Sequence, residues 1–504
     1  MFRDDPELGS ARRWRRRFFV LVALLVIVPA VVVVYALLRF GGDTAIAYDS
    51  AEEHFKYGST GGERESGFPY GIFQALPAVC AHHLPGGYRS LGLIYEPGKT
   101  LPVGMSKRRY LGVDRTFLNC AVCHTSTVRP APEAQSQLVL GMPANTFDIM
   151  AFERFFFDCA ADARFNTEHV IPEVRRVLQA EGGDLDLLDR YVVYPLAVFI
   201  MRERLLMLRE RFGFVLRQAE QGLPWGPGRV DTFNSAKVLF NFPMEKLDPR
   251  ELVGASDFPS VWNQRLKQGM QLHWDGNNTM VEERNKSAAF GTGTTPPTID
   301  LAAIARVENW LLDFKPPPYP FPIDAALAAQ GAPLYGQYCA SCHGASGRDF
   351  SGERVGKVTP IAEVGTDRGR LDSYTYTLAV NQSTLYADYP HRFRHFRKTY
   401  GYANMPLDGL WLRAPYLHNG SVPTLRDLLS PAAQRPQAFY RGYDVYDQAR
   451  VGFISNVEQE KGRRHFRYDT TLAGNSNRGH DGPAYGTSLT EQQKTALLEY
   501  LKTF

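Results

Sequence analysis

A chain of 504 residues with 57 Lys and Arg against 53 Asp and Glu, 44% hydrophobic and 22% charged, has a globular composition and the length of two or three domains. Those values exclude a mostly disordered or fibrous chain. Residues 1–17 hold six Arg and three acids, +3 of the net +4, so the remainder has no general basic field and no nucleic acid partner is expected.

Taken in order, the first element is a run of 21 residues without a charge, 18–38, close to the roughly 20 that carry a helix across hydrocarbon. Arg12, Arg13, Arg15, Arg16 and Arg17 precede it, and such a cluster stays on the cytoplasmic side. The pattern predicts a cytoplasmic basic segment over 1–17 and a transmembrane signal anchor over 18–38. The remainder is then periplasmic, on a single-pass protein of a bacterial inner membrane. A cleaved signal peptide is the alternative, with Ala45-Ile46-Ala47 as its small-residue site, but its apolar region is usually about 7–15 residues.

Beyond the anchor, residues 145–165 and 184–213 read as helices, the second interrupted at Pro195. The apolar stretch 191–201 is too short for a second span and reads as core. Residues 315–322, Lys-Pro-Pro-Pro-Tyr-Pro-Phe-Pro, have too few backbone donors for a helix or central strand and mark a domain boundary. Residues 323–338 are compatible with a helix. Thr490-Glu-Gln-Gln493 is a capping-box pattern that starts a last helix with Leu497, Leu501 and Phe504 on one face.

Four of the six cysteines lie in two copies of one pattern, Cys120-Ala-Val-Cys123-His124 and Cys339-Ala-Ser-Cys342-His343. This is the C-x-x-C-H pattern of c-type haem attachment. The two thiols add to the haem vinyl groups, the spacer matches their separation, and the adjacent imidazole becomes an axial ligand of the iron. Two copies behind an export segment predict two covalently bound haem c groups. The fold expected is mainly α with extensive loops: an N-terminal haem domain over 48–314, the linker 315–322, and a C-terminal cytochrome c domain over 323–504. Cys80 and Cys159 remain, as a disulfide or as two buried thiols.

The sixth ligands decide what such a protein does, because an open iron admits oxygen or peroxide. Candidates after the linker are Met405, in Ala-Asn-Met-Pro, and His391, His395, His418, His465 and His480. The first domain has no Met or His in an obvious cytochrome-like sixth-ligand context.

The segment Leu410-Trp-Leu-Arg-Ala-Pro-Tyr-Leu-His-Asn-Gly-Ser-Val-Pro-Thr-Leu425 resembles the signature of di-haem cytochrome c peroxidase relatives, and more closely that of the rubber-oxygenase-like branch. Phe55-Lys-Tyr-Gly-Ser, Gly141-Met-Pro-Ala, His273-Trp-Asp-Gly and Gly474-Asn-Ser-Asn-Arg-Gly-His480 are similar to the same branch. The resemblance implies a reactive haem on His124 with an open or oxygen-occupied distal face, and an electron-transfer haem on His343. His480 matches the position that caps the second haem in that branch; in the peroxidase branch a methionine does so, which matches Met405. The resemblance also implies Trp274 as an aromatic relay between the centres and Phe290 as a wall of the first distal pocket.

Two functions follow. The first is an oxidoreductase in which peroxide or dioxygen reacts at the His124 haem, with a hydrophobic organic molecule as a further substrate and an electron-transfer protein or quinol-side donor as partner. The second is a non-catalytic di-haem electron carrier that links membrane respiration to a periplasmic partner.

Overall fold

The computed structural model describes residues 6–504, with side chains in the first helix from Trp14 onward. Residues 1–5 of the expected basic segment lie outside the described residues. Helix Pro6–Phe40 contains the whole apolar run, and its 27-residue part Trp14–Phe40 has no buried face. At 1.5 Å per residue that part exceeds the roughly 30 Å of a hydrocarbon core. A helix apolar on every side finds no cover in water, so this one is a candidate membrane span or signal sequence.

The chain leaves this helix through Arg39, whose guanidinium pairs with Asp189 at 2.5 Å and donates to the Gly112 carbonyl. A four-stranded antiparallel sheet follows. Its central hairpin is Met105–Tyr110 with Val113–Leu118, flanked by Asp43–Ala45 and Phe68–Pro69. Tyr110 stands opposite Val113, and the turn between them is Leu111 and Gly112, at φ of 49° and 73°. Two successive positive φ values match the twist of the flanking strands. The sheet adds to the expected helices and loops without displacing them, since about 44% of the chain is helical.

Helices Tyr70–Val79, Ile149–Ala161, Thr167–Ala180 and Tyr194–Arg211 pack beside this sheet around Phe68, Phe73, Tyr88 and Phe156. These rings stack with centres 4.4–6.2 Å apart. Helix Ile149–Ala161 is shorter than the expected 145–165 because Asp148 caps it, accepting from the Ala151 N–H at 2.9 Å. Cys80 and Cys159 form a disulfide that joins two of these helices across 79 residues. A crosslink closing so long a loop restricts the unfolded chain, so C80S/C159S is expected to lose about 2–5 kcal/mol of stability in urea unfolding. An unchanged midpoint would mean that the helices hold each other without it.

Pro195 does not interrupt its helix. The π-turn Asp189–Val193 runs directly into Tyr194–Arg211 and takes up the register change imposed by a residue without an N–H. The stretch 191–201, expected as core, is core on one side only. Tyr194, Val198 and Met201 are buried, whereas Tyr191, Leu196 and Phe199 face outward.

Residues 315–322 run without regular structure, held by the Trp411 indole donating to the Pro317 carbonyl at 3.1 Å. Helix Ala325–Tyr338 then crosses the last helix, Glu491–Leu501, at Gly331. A Cβ at Gly331 would lie 2.1 Å from the Ala496 carbonyl oxygen, so this close crossing requires glycine. The last helix opens on the reciprocal Thr490 and Gln493 capping box and buries Leu497 and Leu501; Phe504, expected on the same face, is buried just past the helix end. Ion pairs Arg441–Asp257, at 3.0 Å, and Arg129–Asp444, at 2.6 Å, tie the regions before and after the proline-rich stretch together.

Candidate haem centres

The strand Val113–Leu118 delivers the chain to Asn119, which builds the first site. Its side-chain carbonyl accepts from the Ala121 N–H at 3.0 Å and starts the 3₁₀ turn Cys120–Val122. Its amide donates to the carbonyls of Lys56 and Gly58, at 3.3 and 3.0 Å, and pins that turn to helix Ala51–Tyr57. His124 follows, with Nδ1 2.8 Å from the Pro259 carbonyl. A carbonyl only accepts, so Nδ1 carries the proton and Nε2 keeps the lone pair that binds metal. Burial lowers His124 to about 4, which keeps this ring neutral. Burial also pushes Cys120 up to about 11 and Cys123 higher still. These sulfurs are poor sites for thiolate charge and fit uncharged thioethers.

The second site repeats the arrangement. Cys339 ends helix Ala325–Tyr338, the turn Ala340–His343 follows, and His343 Nδ1 donates to the Met405 carbonyl at 2.8 Å. Met405 therefore meets this site through its backbone, behind the His343 ring. The His480 ring centre lies 6.3 Å from that of His343. Two imidazoles sharing one metal ion through bonds of about 2 Å have ring centres about 6 Å apart. His480 Nδ1 is buried without a hydrogen-bond partner, and burial, with the field of His343, lowers the ring to about 3.

A dedicated loop presents His480. Its backbone is at φ 49° and its N–H donates to the Val364 carbonyl at 3.0 Å. The buried Arg435 guanidinium donates to the carbonyls of Asn477, Gly479 and His480 at 2.6–2.9 Å. Asn419 donates to those of Gly474 and Ser476 at 3.2 and 3.0 Å.

Trp274 lies between the two motifs. Its indole donates to the Asp257 carbonyl at 2.7 Å, two residues before Pro259, and its own carbonyl accepts from the Ala403 N–H at 2.8 Å, two residues before Met405. Phe290 ends helix Val281–Phe290 and packs edge to face on Tyr386 at 5.5 Å, in a cluster with Ile299 and Ile304. That cluster is separate from those against which Cys120 and Cys123 pack. His418 is committed elsewhere, with Nε2 3.0 Å from the Tyr402 hydroxyl.

Sequence reasoning missed three groups near the first motif. His54, on the helix pinned by Asn119, is buried with neither ring nitrogen hydrogen-bonded to a side chain. Glu308 is raised to about 7 by burial with Oε1 unpartnered, and buried Arg284 is lowered to about 10. Arg284 acts electrostatically on His124, and Glu308 on Cys120. No motif surrounds these residues; only burial distinguishes them.

Among known proteins, the model of the family described as RoxA-like, cytochrome c-like matches residues 401–440. That segment contains Met405, Asn419 and Arg435, which support both faces of the second site. The chain is 32% identical over 293 residues to uncharacterized protein y4iM of Sinorhizobium fredii (strain NBRC 101917 / NGR234), covering 49% of this chain and 64% of that protein. It is 26% identical over 522 residues to uncharacterized protein y4iJ of the same organism, covering 83% and 82%. The match to y4iM thus spans less than two thirds of that relative's length. The family match supports a c-type cytochrome of the RoxA-like kind, with haem, iron and electron transfer as its chemistry.

Proposed function

We propose that the chain is a membrane-anchored periplasmic di-haem oxidoreductase of the rubber-oxygenase-like branch. Cys120, Cys123 and His124 hold one haem and Cys339, Cys342 and His343 the other, with His480 as sixth ligand of the second. Haem iron supplies redox chemistry toward dioxygen or peroxide where a coordination position is open. The observation that carries this reading is asymmetry: His343 pairs with a second imidazole at 6.3 Å between ring centres, and among the described residues no ring pairs with His124 at such a distance. A six-coordinate centre suits electron transfer and an open one suits substrate. The protein's share of the work is to hold both proximal rings neutral and oriented, through the Pro259 and Met405 carbonyls. A hydrophobic organic substrate and a protein or quinol-side electron donor complete the proposal.

Trp274 gives the two centres a shared route. It runs from His124 through Pro259 and Asp257 to the indole, and from the Trp274 carbonyl through Ala403 to Met405 and His343. Trp274→Phe keeps an aromatic ring and removes the N–H, and is expected to slow electron equilibration between the haems by an order of magnitude or more. Both absorption spectra should stay intact. Flash photolysis of carbon monoxide from the half-reduced protein measures this, and an unchanged rate would remove Trp274 from the path.

The reading as a whole is tested by EPR and absorption spectra of the full chain, with and without carbon monoxide. One high-spin haem that binds carbon monoxide beside one low-spin haem that does not is the expected result. Two low-spin haems inert to carbon monoxide would instead favour the electron carrier.

A further inference from the structure

The exposed face of helix Tyr194–Arg211 is an apolar surface that the reading above leaves without a role. Leu187, Tyr191, Leu196, Phe199 and Ile200 are 42–76% exposed along one side, opposite the buried Tyr194, Val198, Met201 and Leu205. Over 187–200 this helix is therefore apolar on its outer side as well as on its buried one. Contiguous exposed apolar surface of this kind marks a binding surface.

Its position says what covers it. The π-turn that opens this helix carries Asp189, and Asp189 pairs with Arg39 in the last turn of the apolar first helix. The same Arg39 donates to Gly112, at the tip of the hairpin whose turn residue Leu111 is itself 51% exposed. The end of the first helix, the hairpin tip and the start of the exposed face therefore meet at one place. Arg190, which lies over the Tyr191 ring, and Arg202 flank the face. Tyrosine beside arginine is a combination enriched at the lipid–water boundary. Glu203, exposed one residue beyond Arg202, bounds the apolar stretch and fits a shallow position among headgroups.

We propose that this face, with Leu111, lies in the outer leaflet of the bilayer spanned by the chain's own first helix, holding the first haem site against the membrane surface. The proposal rests on reading Pro6–Phe40 as a retained anchor. A free second copy or a soluble partner protein would not need the face to start where the anchor ends.

The test uses the full haem-loaded chain in phosphatidylethanolamine–phosphatidylglycerol vesicles, with an environment-sensitive dye on F199C and, as control, on E168C. The readout is quenching by lipids carrying a nitroxide high on the acyl chain, relative to unlabelled lipids. Intact mass of the same preparation reports whether the first helix is retained. With the helix retained, quenching at 199 and not at 168 supports the proposal, and equal, weak quenching at both overturns it while the anchor reading stands. If the helix has been removed, the anchor reading fails and the processed chain is floated with the same vesicles. Flotation that F199D/I200D abolishes still supports a lipid-binding face, and a chain that does not float overturns it. Protein-to-protein crosslinking at 199 without lipid quenching also overturns it, in favour of a second copy.

Discussion

Replacing Cys120 and Cys123 with alanine is expected to halve the iron and haem content of the purified protein, from two per chain to one. Carbon monoxide binding should disappear with the lost haem, while the low-spin signal of the second centre persists. The physical reason is the separation of the two attachment sites: Cys120 packs with Phe55 and Val103 beside the helix pinned by Asn119, and Cys123 against the large cluster that holds Leu118 and Val122, whereas Cys339 packs against the crossed pair of C-terminal helices. Burial already denies both first-site sulfurs a stable thiolate, so a chain that cannot form the thioethers loses the covalent hold of a group that the packing around this motif is built to receive. A stability loss above about 4–5 kcal/mol is expected, the range that marks removal of a structural group and not a surface change. Calorimetry and the pyridine haemochrome spectrum check the two halves of this prediction. Unchanged haem content would sink the two-haem reading, since the first motif would then be an ordinary pair of cysteines.

What could be read in advance was what local spacing encodes. The two C-x-x-C-H patterns, the uncharged run of 18–38 and the Thr490–Gln493 cap each act within a few residues, and the helices Pro6–Phe40 and Glu491–Leu501 stand where those patterns put them. The supports of the haem sites were hidden because backbone atoms supply them. Pro259 and Met405 offer carbonyls to His124 and His343 from 135 and 62 residues away, and any residue type carries that group. Arg435 reads as one more surface arginine until its guanidinium is found buried among the carbonyls of the His480 loop. The four-stranded sheet escaped notice because two of its strands, Asp43–Ala45 and Phe68–Pro69, are only three and two residues long. An apolar stretch such as 191–201 states that its side chains avoid water, and not whether protein or lipid covers each side.

His480→Ala separates the two sixth ligands that the sequence left open. The second haem is expected to change from low-spin to high-spin, so that carbon monoxide taken up by the reduced protein rises from one equivalent to two. Met405→Leu is expected to leave the low-spin signal in place, because the group Met405 offers to this site is its carbonyl, on Nδ1 of His343, and leucine retains it. The contrast is independent of general unfolding. His480 sits on a loop held at its own main-chain atoms by the Val364 carbonyl and the Arg435 guanidinium, so truncating the imidazole leaves those bonds in place. The ring itself has little else to do: its Nδ1 is unpartnered and its closest aromatic neighbour, Tyr485, lies 4.7 Å away between ring centres. A buried imidazole with an orphaned nitrogen is costly in a core, and iron bound at that nitrogen would account for it. If His480→Ala stays low-spin while Met405→Leu turns high-spin, the ligand is the methionine and the loop must rearrange when haem is attached. If both stay low-spin, neither residue caps the second haem, and the asymmetry between the two centres loses its basis.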